Sequence, residues 1–389
     1  MSVTAARGFV AAGVASGIKP SGALDLALVA TADGRAVPAA AVFTANLATA
    51  APVNVTRRHL AATAGRAAAV VLNSGNANAA TGAAGERQAE RTTASVAGGL
   101  GCRTEEVLVC STGLIGIPLP IDALLSGVGP LVAARAAGAE AGAQAARAIM
   151  TTDTRPKTVV RSIDGITIGG MAKGAAMLAP NMATMLAVLT TDAEVTPAEL
   201  QRCLSAAVEQ SFNSLSVDGC TSTNDTVLVL AGGAAGPVDG AGFAAALAEA
   251  CADLAAQMAA DAEGATKVVR ITVTGAGDDA EARRGARRVA ESQLVKCSFY
   301  GADPYWGRIV SELGSAGIAF DPTRVSVSYG GTVVARHGVA CEHDEAAVAA
   351  HMAGDRLEVG ADLGVGEGRG SILTNDLTHA YIDENMRTS

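Results

Sequence analysis

The sequence predicts an α+β fold of layered sheets and helices, with a smaller C-terminal α/β subdomain that begins near residue 280. Apolar runs of strand length alternate along the chain with Ala-rich segments that have helical spacing, which indicates sheets covered by helices. The chain has 389 residues, enough to bury a large core. Hydrophobic residues make up 49% of it and aromatic residues only 3%, which indicates close packing of small side chains.

Local patterns predict the individual elements. Asp164-Gly165 between two apolar stretches is typical of a hairpin turn, and Thr196-Pro197 is typical of a helix start, with Thr196 as the cap. The patterns predict strands that lead into polar loops over 67–82 and 106–120, an Ala-rich helical segment over 121–149, a hairpin over 158–174, a helix from 196 to about 212, strands over 225–233 and 267–277, and helices over 241–262, 278–292 and near 344–353.

Composition and charge narrow the functional class. The net charge is −9 and basic residues occur singly or in short helical clusters, which disfavours a nucleic-acid partner. Seven cysteines are widely spread without a C-x-x-C pair, and five histidines show no ligand spacing. We therefore expect reduced thiols and no metal site. The first residues contain no basic segment followed by an apolar one, so we expect a cytoplasmic protein.

One long uncharged run, residues 174–191, raises the question of a membrane helix. It contains Gly174, Pro180 and Asn181, which would leave backbone groups unpaired in lipid. We therefore expect no membrane span.

A dinucleotide-binding motif is also disfavoured. The G-x-G-x-x-A pattern occurs at 275–280 after a predicted strand, and it occurs again at 240–245, because a chain rich in Gly and Ala produces it readily. Asp278 and Asp279 in the first copy would repel a pyrophosphate. Neither a Walker A motif nor a G-x-S-x-G elbow is present.

Small hydroxyl residues are the remaining candidates for catalysis, and Thr184 is the least ordinary of them. Most Ser and Thr residues cap helices or close turns, but Thr184 lies between Ala183 and Met185 in the uncharged run. A Thr nucleophile needs a base, and an N-terminal Thr can use its own α-amine, whose ordinary pKa is about 8. Cleavage between Ala183 and Thr184, with the Pro180-Asn181 turn ahead of it and a buried strand after it, would create that amine.

Eight segments in order along the chain closely resemble the ornithine acetyltransferase family, the bifunctional glutamate/ornithine N-acetyltransferases of arginine biosynthesis. They span nearly the whole chain and read "VVLNSGNANAATG" (70–82), "VCSTGLIGIPLP" (109–120), "AIMTTDTRPK" (148–157), "AKGAAMLAPNMATMLAVLTTDA" (172–193), "STNDTVLVLA" (222–231), "DAEGATK" (261–267), "LVKCSFYGADPYWGRI" (294–309) and "TNDLTHAYIDEN" (374–385).

The resemblance implies a layered α/β sandwich of the self-cleaving N-terminal-nucleophile type. It implies an α chain of residues 1–183 and a β chain of residues 184–389, assembled as an α2β2 heterotetramer. The reaction implied is a ping-pong transfer of the acetyl group from N2-acetylornithine to glutamate through an acetyl-Thr184 ester. No cofactor is implied, and the resemblance leaves open whether acetyl-CoA also serves as a co-substrate.

The resemblance also assigns roles to residues of this sequence. Thr112 and Gly113 of the Ser-Thr-Gly motif correspond to the residues that stabilise the oxyanion. The positions that correspond to substrate-binding residues are Thr151, Lys173, Thr184, Glu263, Asn385 and Ser389. Lys173 suits the substrate carboxylate and Glu263 suits the side-chain ammonium of ornithine. The tail "NMRTS" lacks the family's aromatic residue, so Thr388 is a rival to Ser389.

Two other functions remain compatible with the sequence. A related N-terminal-nucleophile aminopeptidase or amidase would cleave itself in the same way but hand the acyl group to water. A non-catalytic relative would bind an amino-acid derivative and stay uncleaved. Acetyl transfer to glutamate and the state of the chain after expression distinguish these two from the transferase.

Overall fold

The computed structural model describes residues 2–177 and 185–386 and divides the chain into two compact units. The first unit comprises residues 1–213 and 220–258, and the second comprises residues 214–219 and 259–389. The C-terminal unit therefore begins at Ala259, earlier than the position near 280 that the sequence suggested. The reason is that the strand Val268–Ala276 lies inside the sheet of that unit, between two strands from the end of the chain.

The first unit contains two sheets. A four-stranded sheet has the order β1-β2-β5-β6, and a six-stranded sheet has the order β4-β3-β10-β9-β8-β7. The strands are β1 (Phe9–Val14), β2 (Leu26–Thr31), β3 (Val37–Phe43), β4 (Arg66–Ala67), β5 (Ala69–Asn76), β6 (Val107–Leu114), β7 (Lys157–Ile163), β8 (Ile166–Lys173), β9 (Leu186–Glu194) and β10 (Thr226–Pro237). Pairing is antiparallel except for β5 with β6 and β9 with β10, which are parallel.

Helices cover the outer faces of both sheets. The helices of this unit are α1 (Ala51–Ala62), α2 (Gly82–Leu100), α3 (Ile121–Ala134), α4 (Ala139–Ala148), α5 (Pro197–Gln210) and α6 (Gly240–Ala259). Apolar residues of both sheets share one buried cluster. A second cluster joins the other face of the four-stranded sheet to α2 and α3, and α5 contacts β3 and β10. This arrangement confirms the predicted layered α+β fold.

Several local predictions are confirmed because short-range chemistry decides them. Asp164 and Gly165 close the β7–β8 hairpin with φ of 47° and 82°, the left-handed conformation that such a turn requires. The Thr196 side chain accepts a hydrogen bond from the amide of Glu199 and so caps α5. The predicted helical segment 121–149 is instead two helices, because Arg135 is extended, Ala136 pairs with Ala11, and Gly138 has a φ of 101°.

The second unit contains one six-stranded sheet of order β14-β13-β12-β15-β11-β16. Its strands are β11 (Val268–Ala276), β12 (Ser326–Tyr329), β13 (Thr332–Arg336), β14 (Val339–Ala340), β15 (Arg356–Asp362) and β16 (Gly368–Asn375), and its helices are α7 (Asp279–Glu291), α8 (Gln293–Tyr300), α9 (Trp306–Gly314), α10 (Glu345–Met352) and α11 (His379–Asn385). Its core packs apolar residues of the sheet against those of α7, α8 and α9. Across 2–177 and 185–386, the helices are too short or too polar to cross a membrane.

Candidate active site

The Ser-Thr-Gly motif lies at the end of β6, beside the end of β5. Thr112 is only 2% exposed, yet its hydroxyl makes no hydrogen bond to any residue that the structure describes. A buried hydroxyl without a partner costs about 1–3 kcal/mol, so such a group calls for a functional explanation. An oxyanion that forms during acyl transfer is the partner that the oxyanion role predicts for it.

Gly113 is required at its position for steric reasons. Its φ is 136°, and a Cβ atom built there would lie 2.3 Å from the carbonyl carbon of Gly75 and 2.4 Å from the amide nitrogen of Asn76. Any larger side chain would collide with this backbone. The glycine lets β6 approach the irregular end of β5 closely and so fixes the backbone next to Thr112.

Asn224 and Asp225 connect this strand end to the start of β9. The Asn224 amide donates hydrogen bonds to the carbonyl oxygens of Ser111 at 2.9 Å and Ala77 at 2.6 Å. The next residue, Asp225, accepts a hydrogen bond from the backbone amide of Met185 at 2.8 Å. The residue that precedes Thr112 is therefore linked through two side chains to the residue that follows Thr184.

Ala183 and Thr184, where the sequence places the cleavage, lie outside the described residues, as does Ser389. Met185 is the first residue described after the predicted cleavage site, and it is 1% exposed. The buried strand predicted for the "MLAVLTT" segment is confirmed as β9, whose residues are buried except for the last one.

Thr151 and Lys173 are brought together by Asp153, a buried carboxylate for which the sequence predicted no role. Asp153 accepts hydrogen bonds from the Thr151 amide at 3.0 Å and the Gly174 amide at 2.7 Å. It also pairs with Lys157 and lies 4.0 Å from the ammonium of Lys173. Burial by itself would raise the pKa of Asp153, but Lys173 and Lys157 lower it to about 2. Asp153 therefore stays ionised at neutral pH.

A further lysine adds positive charge to this region. Lys19 donates hydrogen bonds to the carbonyl oxygens of Leu24 at 2.9 Å and Met150 at 2.7 Å. Burial lowers its pKa, as does the charge of Lys173. Lys19, Lys157 and Lys173 thus outnumber the two carboxylates of this region, Asp153 and Asp25. Such a positive region favours an anionic ligand.

Glu263 and Asn385 are brought together in the second unit. The amide of Asn385, near the end of α11, donates to Oε2 of Glu263 at 2.9 Å. Glu263 also lines a cavity of about 110 Å³ together with Asp218, Glu291 and Asp376. The cavity is therefore rich in carboxylates, which is a suitable environment for an ammonium group.

Lys296 is the lysine that lines this acidic cavity. It is 5% exposed and donates to the Thr374 hydroxyl at 3.0 Å and to the Asn375 carbonyl at 2.5 Å. Burial lowers its pKa to about 8, although the neighbouring carboxylates Asp218 and Asp376 oppose this effect. Within residues 2–177 and 185–386, no cluster of three potential metal ligands occurs.

Comparison with known proteins decides the family. A model of the ArgJ family matches residues 10–388. The chain belongs to the ArgJ family. The arginine biosynthesis bifunctional protein ArgJ of Mycobacterium bovis is 50% identical over 394 residues, which cover 100% of this chain and 96% of that protein. The protein of the same name from Thermobifida fusca is 47% identical over 390 residues and both chains are covered to 100%.

A solved ArgJ structure is also similar to the chain. The arginine biosynthesis bifunctional protein argJ from Bacillus halodurans is 37% identical with a TM-score of 0.50. The match covers 97% of that solved chain but only 51% of this one. The solved chain is therefore about half as long as the ArgJ-family chain described here. The match to the ArgJ family confirms the resemblance to ornithine acetyltransferases that the sequence motifs indicated.

Proposed function

We propose that the chain transfers the acetyl group of N2-acetylornithine to glutamate in arginine biosynthesis, through an ester on Thr184. The observation that supports this most directly is the buried hydroxyl of Thr112 beside Gly113, which makes no hydrogen bond to any described residue. It is linked through Asn224 and Asp225 to the amide that follows Thr184. A nucleophile and a donor for the oxyanion are the two groups that acyl transfer needs in one place.

Self-cleavage comes first in the proposed reaction sequence. The Thr184 hydroxyl attacks the carbonyl carbon of Ala183, its proton passes to the departing amide nitrogen, and water then hydrolyses the resulting ester. Thr184 is left with an α-amine as its base. The solved Bacillus halodurans chain is about half as long as this chain. This length supports cleavage between Ala183 and Thr184, because that cleavage separates 1–183 from 184–389 near the middle of the chain.

Acetyl transfer then proceeds in two half-reactions. The α-amine takes the proton of the Thr184 hydroxyl as its oxygen attacks the acetyl carbonyl, and the Thr112 hydroxyl and Gly113 amide stabilise the oxyanion. Ornithine leaves after its α-nitrogen takes up that proton. The α-amine of glutamate next attacks the acetyl ester, and Thr184 regains its proton as N-acetylglutamate departs.

Substrate recognition follows from the charges in each unit. N2-acetylornithine and glutamate both carry an α-carboxylate, which suits Lys173 and the other lysines near Asp153 and Thr151. The side-chain ammonium of ornithine suits Glu263 and the acidic cavity, where Asn385 orients the carboxylate. Ser389 is the remaining residue proposed to bind substrate.

The proposed reaction needs no cofactor, and acetyl-CoA is proposed as a second acetyl donor to the same Thr184. The word "bifunctional" in the name of the ArgJ relatives is consistent with two donors. The α and β chains produced by cleavage are proposed to stay together as an α2β2 heterotetramer in the cytoplasm.

Intact-mass analysis after incubation with N2-acetylornithine tests the proposal. We expect two fragments, with the mass of one acetyl group added to the fragment that begins at Thr184. The Thr184→Ala variant should remain a single chain without added acetyl. An acetyl group on any other peptide, or an uncleaved wild-type chain that binds the substrate, would contradict the mechanism.

A second assay separates transfer from hydrolysis. With N2-acetylornithine and glutamate both present, we expect N-acetylglutamate to form in step with ornithine. If ornithine and acetate form instead and glutamate stays unmodified, the protein is a hydrolase of the same fold.

A further inference from the structure

In the proposed reaction, the acidic cavity of the second unit has to accept two side chains of opposite charge. Ornithine and glutamate exchange the same acetyl group at their α-nitrogens, so their side chains are expected to take the same place in turn. The side-chain nitrogen of ornithine is the fourth atom beyond Cα, and so are the two side-chain oxygens of glutamate. One place must therefore bind an ammonium group in one half-reaction and a carboxylate in the other.

The carboxylates of the cavity favour ornithine and disfavour glutamate. Four of them line it, those of Asp218, Glu263, Glu291 and Asp376. Their negative charges attract an ammonium group and repel another carboxylate. Glutamate therefore needs a positively charged donor in the same cavity, and Lys296 is the cation among the residues that line it.

Lys296 has an N–H donor left for a ligand. An ammonium group carries three such donors. Within 2–177 and 185–386, two of them are used, by the Thr374 hydroxyl at 3.0 Å and the Asn375 carbonyl at 2.5 Å. Both partners belong to the last two residues of β16, so the sheet holds the ammonium group in the wall of the cavity.

Asn375 shows independently that the cavity lacks a partner from the protein. The residue lines the cavity and is 1% exposed, and its amide nitrogen donates to the carbonyl oxygens of Ala259 at 2.8 Å and Lys267 at 3.0 Å. These two bonds fix which end of the amide is the oxygen. That oxygen, Oδ1, is buried and has no hydrogen-bond partner in the described part of the chain. A buried acceptor without a partner is costly, which indicates that a ligand completes this cavity.

We propose that Lys296 determines the specificity of this site for glutamate, because its third N–H donor binds the side-chain carboxylate of glutamate where the side-chain ammonium of ornithine binds in the other half-reaction. The inference rests on the proposed function. Lys296 is therefore a binding residue for one of the two substrates and takes no part in moving the acetyl group.

The charge state of Lys296 suits this role at neutral pH. Burial lowers its pKa to about 8, so below that pH it is an ammonium group that can bind a carboxylate. Above that pH it becomes a neutral amine and loses its charge. The titratable groups that surround it are Asp218, Glu291 and Asp376, whose charges raise its pKa, Cys297 on the same helix, and Glu263 and Tyr381, which also line the cavity.

The test compares N-acetylglutamate with N2-acetylornithine as donors of the acetyl group to Thr184. N-acetylglutamate donates in the reverse of the second half-reaction, and intact mass under single-turnover conditions gives both second-order rate constants. The α-nitrogens of both donors are amides that do not titrate, so the ratio of the two constants reports on the side chains. For Lys296→Met we expect the ratio of N-acetylglutamate to N2-acetylornithine to fall about tenfold or more, because the first loses a charged donor and the second loses a repelling charge.

Lys267→Met is the matched control. Lys267 is a partly buried lysine of the same unit whose ammonium group donates to the Met352 carbonyl, and it is not among the residues that line the cavity. Its substitution should leave the ratio at the wild-type value. A general loss of stability lowers both rate constants together and does not change their ratio.

A measurement on the wild type keeps the inference testable if Lys296→Met does not fold. Between pH 7 and 9 Lys296 changes from mostly charged to mostly neutral, since its pKa is about 8. Titration of the other groups of the site affects both donors alike. The ratio of N-acetylglutamate to N2-acetylornithine should therefore fall over this range, by up to about tenfold.

Three results would overturn the inference: a Lys296→Met enzyme with the wild-type ratio, a Lys267→Met enzyme with the same fall, or a wild-type ratio that stays constant from pH 7 to 9. In each of these cases acetyl-Thr184 still forms from N2-acetylornithine, so the proposed function stands. A wild-type protein that forms acetyl-Thr184 from neither donor would overturn the proposed function and the inference with it.

Discussion

Replacing Thr112 with valine removes one hydroxyl group and keeps the shape of the side chain. In the folded protein that hydroxyl is buried and makes no hydrogen bond to a described residue. The substitution therefore removes no bond that stabilises the fold. We expect the free energy of unfolding to stay the same or to rise by about 1 kcal/mol, because an unpaired buried polar group is unfavourable.

The same substitution should have a large effect on the reaction. Loss of one oxyanion donor costs about 100-fold to 1,000-fold in kcat, which corresponds to about 2.7–4 kcal/mol of transition-state stabilisation. Thr112→Ser should recover most of the activity, because it restores the hydroxyl. The assay is the rate of N-acetylglutamate formation from N2-acetylornithine and glutamate, with urea unfolding measured on the same proteins.

Thr56 provides a matched control within the same unit. It is also fully buried, but its hydroxyl donates to the Val109 carbonyl at 2.7 Å and accepts from the Val109 amide at 2.9 Å, on the same strand as Thr112. Thr56→Val should therefore destabilise the protein by about 1–3 kcal/mol without a selective loss of kcat. A Thr112→Val enzyme with wild-type kcat, or one destabilised as much as Thr56→Val, would refute the oxyanion role.

Three further predictions follow from burial and steric contact. Asp153→Asn should destabilise the protein by about 3–5 kcal/mol, because Lys157 is 0% exposed and would lose its carboxylate. Since the pKa of Asp153 is about 2, the wild-type contribution is present above about pH 4 and is lost only as pH falls toward 2, which acid unfolding of both proteins checks. Gly113→Ala should prevent accumulation of folded protein because its Cβ would lie 2.3 Å from backbone, whereas Gly116→Ala, with nothing within 4 Å, should cost about 1–2 kcal/mol; soluble yield and thermal midpoint distinguish them. Lys296 has a pKa of about 8 in the folded protein, so between about pH 8 and 10 the unfolded chain holds a proton that the folded chain has lost. The free energy of unfolding of the wild type should therefore rise over that range relative to Lys296→Met, and parallel curves in urea would contradict this.

Local chemistry allowed part of the fold to be predicted from the sequence. The Asp164-Gly165 hairpin and the Thr196 cap depend on a few adjacent residues, and the structure confirms both. The break between α3 and α4 was missed because the Ala-rich pattern continues through it. The position of the second unit was also missed, since the partners of β11 lie about 80 residues or more later in the chain.

The residues that support the site were harder to find than the site itself. Thr112, Gly113, Thr151, Lys173 and Glu263 stand in motifs that the sequence shows directly. By contrast, Asp153 and Asp225 occur in two of the quoted motifs but received no role. A weak indication existed for Asp225, because it is a lone charge directly ahead of the apolar strand "TVLVLA". Its partner, the Met185 amide, became known only from the pairing of β9 with β10.

The sequence by itself determined the family, the order of most strands and helices, and the residue types available for acyl transfer, because motifs and periodicity are local properties of the chain. The tertiary structure alone decided which of these groups are buried, which are paired and which lack a partner. Thr112 and Asp225 are buried with side-chain oxygens that have no partner among the described residues, and this burial and the approach of Lys173 to Asp153 arise from contacts between strands. Desolvation and charge coupling depend on such contacts and not on sequence spacing.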